Sequence, residues 1–153
     1  GTFIALLDSD DLWYPNKLEA VIDEFKRHPD VDLICHHENI IRHGHVVRVL
    51  RHGPLTSKMY ERLLYEGNNL SPSATVFKKA VALSIGVFCE DPNFDTAEDY
   101  DFWLRMCRVA RFQFLDAVLG EYQVWEGRAT RRIEYHYTHL KLHKPRDPLL
   151  WLL

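Results

Sequence analysis

Phe3-Ile4-Ala5-Leu6-Leu7-Asp8-Ser9-Asp10-Asp11-Leu12-Trp13 is the stretch whose reading decides the fold. Five apolar residues in succession read as a strand buried on both faces, the pattern of a parallel sheet. Three carboxylates, Asp8, Asp10 and Asp11, follow within four positions, where such a strand leaves the sheet. Ligands of open α/β sheets bind at the carboxyl ends of strands, so chemistry is expected here. Clustered carboxylates repel one another unless a cation lies between them. Oxygen-only ligands suit a hard ion such as magnesium or manganese. The competing reading is a polar turn, because Asp and Ser form turns readily and Pro15 suits the first turn of a following helix.

Outward from that stretch the chain alternates helix and strand signals. Leu18, Val21, Ile22 and Phe25 lie on one helical face, with Lys17, Asp23, Glu24, Lys26 and Arg27 as its solvent side and Pro29 as its end. Val31 to Cys35 predicts a strand that His36, His37 and Glu38 follow, and Val46 to Leu50 a return strand after a turn at His43-Gly44-His45. Helical spacing over Ser57 to Tyr65 breaks at Gly67-Asn68-Asn69, and Lys78 to Leu83 predicts a brief helix. A helix starts near Glu98, with Thr96 as cap and Asp99 completing a capping box. Phe112 to Leu115 and Val118 to Tyr122 predict two closing strands, and Thr130 to His143 a basic helix stopped by Pro145 and Pro148.

The length of 153 residues suits one domain with one core, and 46% hydrophobic with 27% charged residues is a globular composition. A formal net charge of -3 carries no nucleic-acid footprint. No apolar run approaches the length of a membrane span. Cys35, Cys89 and Cys107 are widely spaced with no CxxC pattern, and their odd number without a signal peptide predicts reduced thiols and a cytoplasmic setting.

Asp8-Ser9-Asp10-Asp11-Leu12-Trp13, with Pro15, Lys17, Leu18 and Glu19 behind it, resembles the metal-binding DxD segment of family 2 glycosyltransferases. Glu98-Asp99-Tyr100-Asp101-Phe102-Trp103-Leu104-Arg105, about ninety positions downstream, resembles that family's ED motif. Two motifs in the right order are far more specific than either alone. The resemblance implies a GT-A type α/β fold, a mixed sheet flanked by helices, with residues 1–153 as one partial catalytic domain. It also implies a nucleotide-binding half of βαβ units ahead of residue 1. Ser71 to Phe77 would be the short strand beside the acceptor, and Gly86-Val87-Phe88 a G-x-F turn.

The implied activity is metal-dependent, inverting transfer of a sugar from a nucleotide-diphosphate donor to an acceptor hydroxyl, that of a saccharide or a lipid-linked molecule. This would serve cell-surface polysaccharide biosynthesis in the cytoplasm, with room for peripheral association at the inner face of the membrane. Asp10 would be the direct ligand of Mn2+ or Mg2+, Asp8 would help through the ribose or water, and Asp11 would orient the loop. Asp99 would be the catalytic base, with Glu98 as the alternative. Arg105 joins Asp8, Asp10 and Asp11 in the nucleotide-sugar-binding set, or pairs with one of the acids. Asp101 would face away to hold the loop, and Trp103 would lie in the core.

Three other readings compete. A non-catalytic remnant or interaction module would use these acids only to shape loops and cap the helix. An aspartyl nucleophile of the haloacid-dehalogenase kind also follows a strand with DxD, but a small pair such as Gly-Thr then comes next, and Leu12-Trp13 stands here. A structural zinc site from His136, His139 and His143 or from His36-His37 lacks Cys or acidic partners at zinc spacing, so solvated histidines are expected. The last strand also departs from the family pattern of Tyr-Arg-x-His, whose His reaches the metal or diphosphate. Gln123 stands for that Arg and Trp125 for that His, leaving Arg128, Arg131 or Arg132 to supply phosphate charge.

Overall fold

The computed structural model describes residues 1–91 and 97–125, and its centre is one long strand, Leu33–Arg42 (β3). The strands before it are β1 (Phe3–Ala5) and β2 (Leu12–Trp13), and those after it are β4 (His45–Leu50), β5 (Thr75–Lys78) and β6 (Phe112–Gln123). The helices are α1 (Lys17–Arg27), α2 (Met59–Glu66), α3 (Lys79–Ser84) and α4 (Glu98–Met106). Sheet order is β1-β5-β3-β6-β2. One edge of β3 is shared, its first half pairing with β5 and its second half with β4, both antiparallel. Its other edge pairs with β6 in parallel, so the sheet is mixed, as expected.

Alternation along the strands sends side chains to two cores. Leu33, Cys35 and Phe77 join Leu63, Phe102 and Trp103 under α2 and α4, and all six are buried. Ile34 and Val76 point the other way, against Val21 and Phe25 of α1. Trp103 is therefore a core residue, wholly buried.

The direction of β1 corrects the parallel reading. It pairs antiparallel with β5, Phe3 opposite Lys78 and Ala5 opposite Val76. Its apolar run does have cover on both faces: Phe3 stacks on Phe25 at 4.5 Å, while Ile4 packs on the core under α4. A continuous apolar run reports cover on two faces and carries no information about the direction of its partner. Leu7 lies past the strand and is 49% exposed.

Other boundaries moved for similar reasons. β3 does not stop at Cys35 but carries His36, His37 and Glu38 into the interior. The two closing strands are one, β6, with a register shift where His36 faces Leu115 and His37 faces Val118. Asp116 and Ala117 form that bulge, a local kink that polar and small residues in a strand pattern resemble as a break. Glu24, expected on the solvent side of α1, is 4% exposed and held by Arg27 and Gln113. Ala97 occupies the N-cap of α4 without a side-chain bond, so there is no capping box with Asp99. Thr96, the expected cap, lies outside the described residues, as do the segment Thr130 to His143 and its histidines. Among the described residues no helix is long and apolar enough to cross a membrane.

Gly120 is where β6 meets β2. A Cβ there would lie 2.8 Å from the Leu12 carbonyl oxygen, a backbone atom that cannot rotate away. Gly120→Ala is expected to push β2 off β6 and to destabilise the protein by about 1–3 kcal/mol. A fall in the urea midpoint at unchanged m-value would show it, and an unchanged midpoint would refute it.

Candidate active site

The acidic loop leaves β1 as a tight turn, with the Asp11 amide bonded to the Asp8 carbonyl at 3.1 Å. Each acid is then fixed by a different element. The Asp8 amide donates to Ser73 Oγ at 3.0 Å. Asp11 Oδ1 accepts the Gln123 amide at 3.0 Å, which ties the loop to the end of β6. Asp10 Oδ2 accepts the indole N–H of Trp125 at 3.0 Å.

Ser73, in the short 3-10 turn Pro72–Ala74, clasps this loop from below. Its carbonyl accepts both the Trp13 indole N–H at 2.9 Å and Lys17 Nζ at 2.5 Å. Lys17 was expected on the wet side of α1 and is instead fully buried. At the first position of α1 its side chain turns under the loop, with the ammonium 3.7 Å from the centre of the Trp13 ring. Burial pulls its pKa down to about 7, against the pull of the nearby Glu38. A buried lysine at this price keeps the floor of the acidic loop in place.

Asp99 lies in the first turn of α4. Its Oδ2 accepts Asn68 Nδ2 at 2.9 Å, and its Oδ1 accepts the Tyr100 amide at 2.7 Å. Burial raises its pKa to about 6, with the charges of Glu98 and Asp8 pushing the same way. Glu98 is exposed. Asp101 and Arg105 form an ion pair at 2.7 Å. The Arg105 guanidinium also donates to the carbonyls of Ile85, Gly86 and Val87, so it braces that turn against α4.

One short segment therefore serves both acidic motifs: Asn68 holds Asp99 and Ser73 holds Asp8. In the sequence Asn68 reads only as a helix breaker, and Ser73 only as part of the expected strand Ser71 to Phe77 beside the acceptor; the strand in fact begins at Thr75, and Ser73 lies in the turn before it. Trp125 was noted only as a departure, yet it touches Asp10. The histidines of the interior also differ from expectation, with His36, His37 and His52 buried.

The donor set suits a hard divalent ion. Asp8 and Asp10 offer oxygen alone, and magnesium is commonly held by one or two carboxylates together with substrate phosphates. Among the described residues no three His, Cys, Asp or Glu side chains converge as a ready-made metal cage. A site completed by a diphosphate needs none.

A family model described as "Glycosyl transferase family group 2" matches residues 3–136. An uncharacterized glycosyltransferase of Rickettsia typhi is 30% identical over 142 residues, which cover 85% of this chain and 42% of the relative. Another, of Methanocaldococcus jannaschii, is 22% identical over 150 residues, covering 94% of this chain and 51% of the relative. Among solved structures, S. aureus TarS 1-349 in complex with UDP-GlcNAc superposes with a TM-score of 0.61 at 20% identity, over 86% of this chain and 37% of that one. The sheet and helices thus share the GT-A type fold. The chain spans roughly two fifths of the length of the Rickettsia typhi relative.

Proposed function

The chain belongs to glycosyl transferase family group 2, and on that premise we propose that the complete protein transfers a sugar from a nucleotide-diphosphate donor to an acceptor hydroxyl, with inversion. The observation that supports this best is the shared clasp: Asp8 and Asp99, far apart in sequence, are both held by the segment from Asn68 to Ser73.

Asp10, assisted by Asp8, would hold Mn2+ or Mg2+. When bound, such an ion acts as a Lewis acid on the charge that develops on the departing diphosphate. Asp11 keeps the loop in register with β6 through Gln123, and Trp125 orients the Asp10 carboxylate. Indole nitrogen is a donor only, so Trp125 can direct a carboxylate but cannot itself ligate a metal. Asp99 takes the proton of the attacking hydroxyl, and the exposed Glu98 keeps negative charge beside it. Arg105 is committed to Asp101 and to the carbonyls of the 85–87 turn, so it braces α4 in place of joining the donor-binding set. The acceptor is a saccharide or lipid-linked hydroxyl compound, and cytoplasmic work at the inner membrane face in cell-surface polysaccharide synthesis fits that chemistry.

The test is a donor panel of UDP-GlcNAc, UDP-glucose, UDP-galactose and GDP-mannose, titrated by calorimetry with and without Mn2+. One member should bind in a Mn2+-dependent way and release its nucleotide on turnover. Absence of binding across the panel would favour the non-catalytic module. A second readout uses the exposed Trp125. Paramagnetic Mn2+ held at Asp10 should quench its fluorescence, and Trp125→Phe should abolish that component while the donor still binds. Equal quenching in the variant would remove Trp125 from the site.

A further inference from the structure

β3 takes His36 and Glu38 fully into the interior. Hydrogen-bond geometry fixes how the polar groups around them are protonated. The His52 amide donates to His37 Nδ1 at 3.1 Å, so His37 carries its proton on Nε2, which faces Asp116 at 3.2 Å. The His52 ring meets an acceptor on each side. Its Nδ1 lies 2.7 Å from the Asn69 carbonyl oxygen, and its Nε2 lies 3.3 Å from Glu38 Oε2. A carbonyl cannot donate, so Nδ1 carries a hydrogen. With side chains 3% and 1% exposed, the pair is sealed from water.

The His52 ring is thus a strut between the β3 floor and the Asn69 carbonyl. Asn68, one residue back, donates to Asp99 and accepts the Leu70 amide at 3.2 Å. The loop's other anchors lie at its ends and at Leu70: the Gly67 amide donates to the Leu63 carbonyl at 3.0 Å, the Ser71 carbonyl accepts the Thr75 hydroxyl at 2.7 Å, and Leu70 is buried in the core. Gly67 enters it at φ +91°, and the side-chain oxygens of Asn69 and Ser71 are buried without a partner among the described residues. We propose that the buried Glu38–His52 pair is a positioning element for Asp99, acting through Asn69 and Asn68. The inference rests on Asp99 being the base. A base displaced by about an ångström can lose on the order of a hundredfold in rate, whereas donor binding at the other acidic loop need not change.

The experiment uses the complete protein, Mn2+ and the donor-panel member that turns over, with nucleotide release giving kcat and calorimetry giving Kd. His52→Phe keeps a ring but offers no N–H. Glu38→Leu/His52→Phe replaces the buried pair with apolar groups, a change that typically leaves the fold stable. His52→Phe and Asn68→Ala should lower kcat by about 10–100-fold with Kd within about threefold of wild type, and the double replacement should lower kcat as much, its Kd being free to move because Glu38 is also the charge near Lys17. Combining His52→Phe with Asn68→Ala should cost little more than the worse single change, because both break one path. Amide exchange at Leu70 should quicken in Glu38→Leu/His52→Phe. Should His52→Phe alone fail to fold, the double replacement decides.

Wild-type kcat in the double replacement, or fully additive losses, would overturn the positioning role provided Asp99→Asn is inactive. A fully active Asp99→Asn would instead show that the base assignment itself is wrong, and the inference would fall with it.

Discussion

Asp99→Asn is expected to lower kcat by roughly 10²–10⁴-fold, the range general-base catalysis contributes, while the donor binds as before. The amide keeps the volume of the carboxyl but has no proton-accepting charge. The wild-type pH profile should carry the same signature. Asp99 titrates near about 6 because burial and the neighbouring charges of Glu98 and Asp8 disfavour its ionised form. The base is present above that pH, so kcat/KM should fall as pH drops through about 6 and lose this limb in the variant. Stability runs the other way. The native state holds this proton more tightly than an unfolded chain with the ordinary value of 3.8, so the group's contribution declines as pH rises from about 4 to about 6. Removing the charge should therefore leave the melting temperature at pH 7.5 close to wild type or higher. A fully active Asp99→Asn, or inactivity explained by unfolding, would end the assignment.

Asp10→Asn is the second large effect. A Lewis acid on a departing diphosphate is worth several kcal/mol, which corresponds to about 10²–10³-fold. The Mn2+-dependent part of donor binding should weaken by that order and turnover should fall with it. The Trp125 indole can still donate to the amide oxygen, so the loop should keep its shape and the melting temperature should hold. Asp11→Asn offers a contrast, since Asp11 is turned toward the Gln123 amide, and its cost should appear mainly in loop stability. Equal Mn2+-dependent binding in Asp10→Asn and wild type would exclude Asp10 as the ligand.

Much of this was legible in the residues. The apolar run before Asp8 announced a strand end with carboxylates, and Leu18, Val21, Ile22 and Phe25 announced α1, because burial periodicity is a local property of sequence. The two acidic motifs, read together, pointed to the family that residues 3–136 match. The antiparallel partner of β1 was not legible, since an apolar run looks the same beside either direction. Lys17 and Glu24 were misread because charge in a helix pattern signals solvent unless a distant partner covers it. Their partners are Ser73 and Trp13 for one and Gln113 for the other. The interior histidines failed for the same reason, His52 being satisfied by Glu38 and by a carbonyl of the 67–70 loop.

The sequence by itself determined which residues can bear the chemistry: three acids after a strand and a second acidic pair at a helix start. Only the tertiary structure decided what holds each of them. Asp8 and Asp99 come under one influence through contacts made by Ser73 and Asn68, whose polar atoms carry no periodic signal and take their meaning from what the folded chain sets against them. A hydrogen bond between residues sixty-five positions apart, as from Asp8 to Ser73, exists only once the sheet has placed both ends, so no local pattern can announce it.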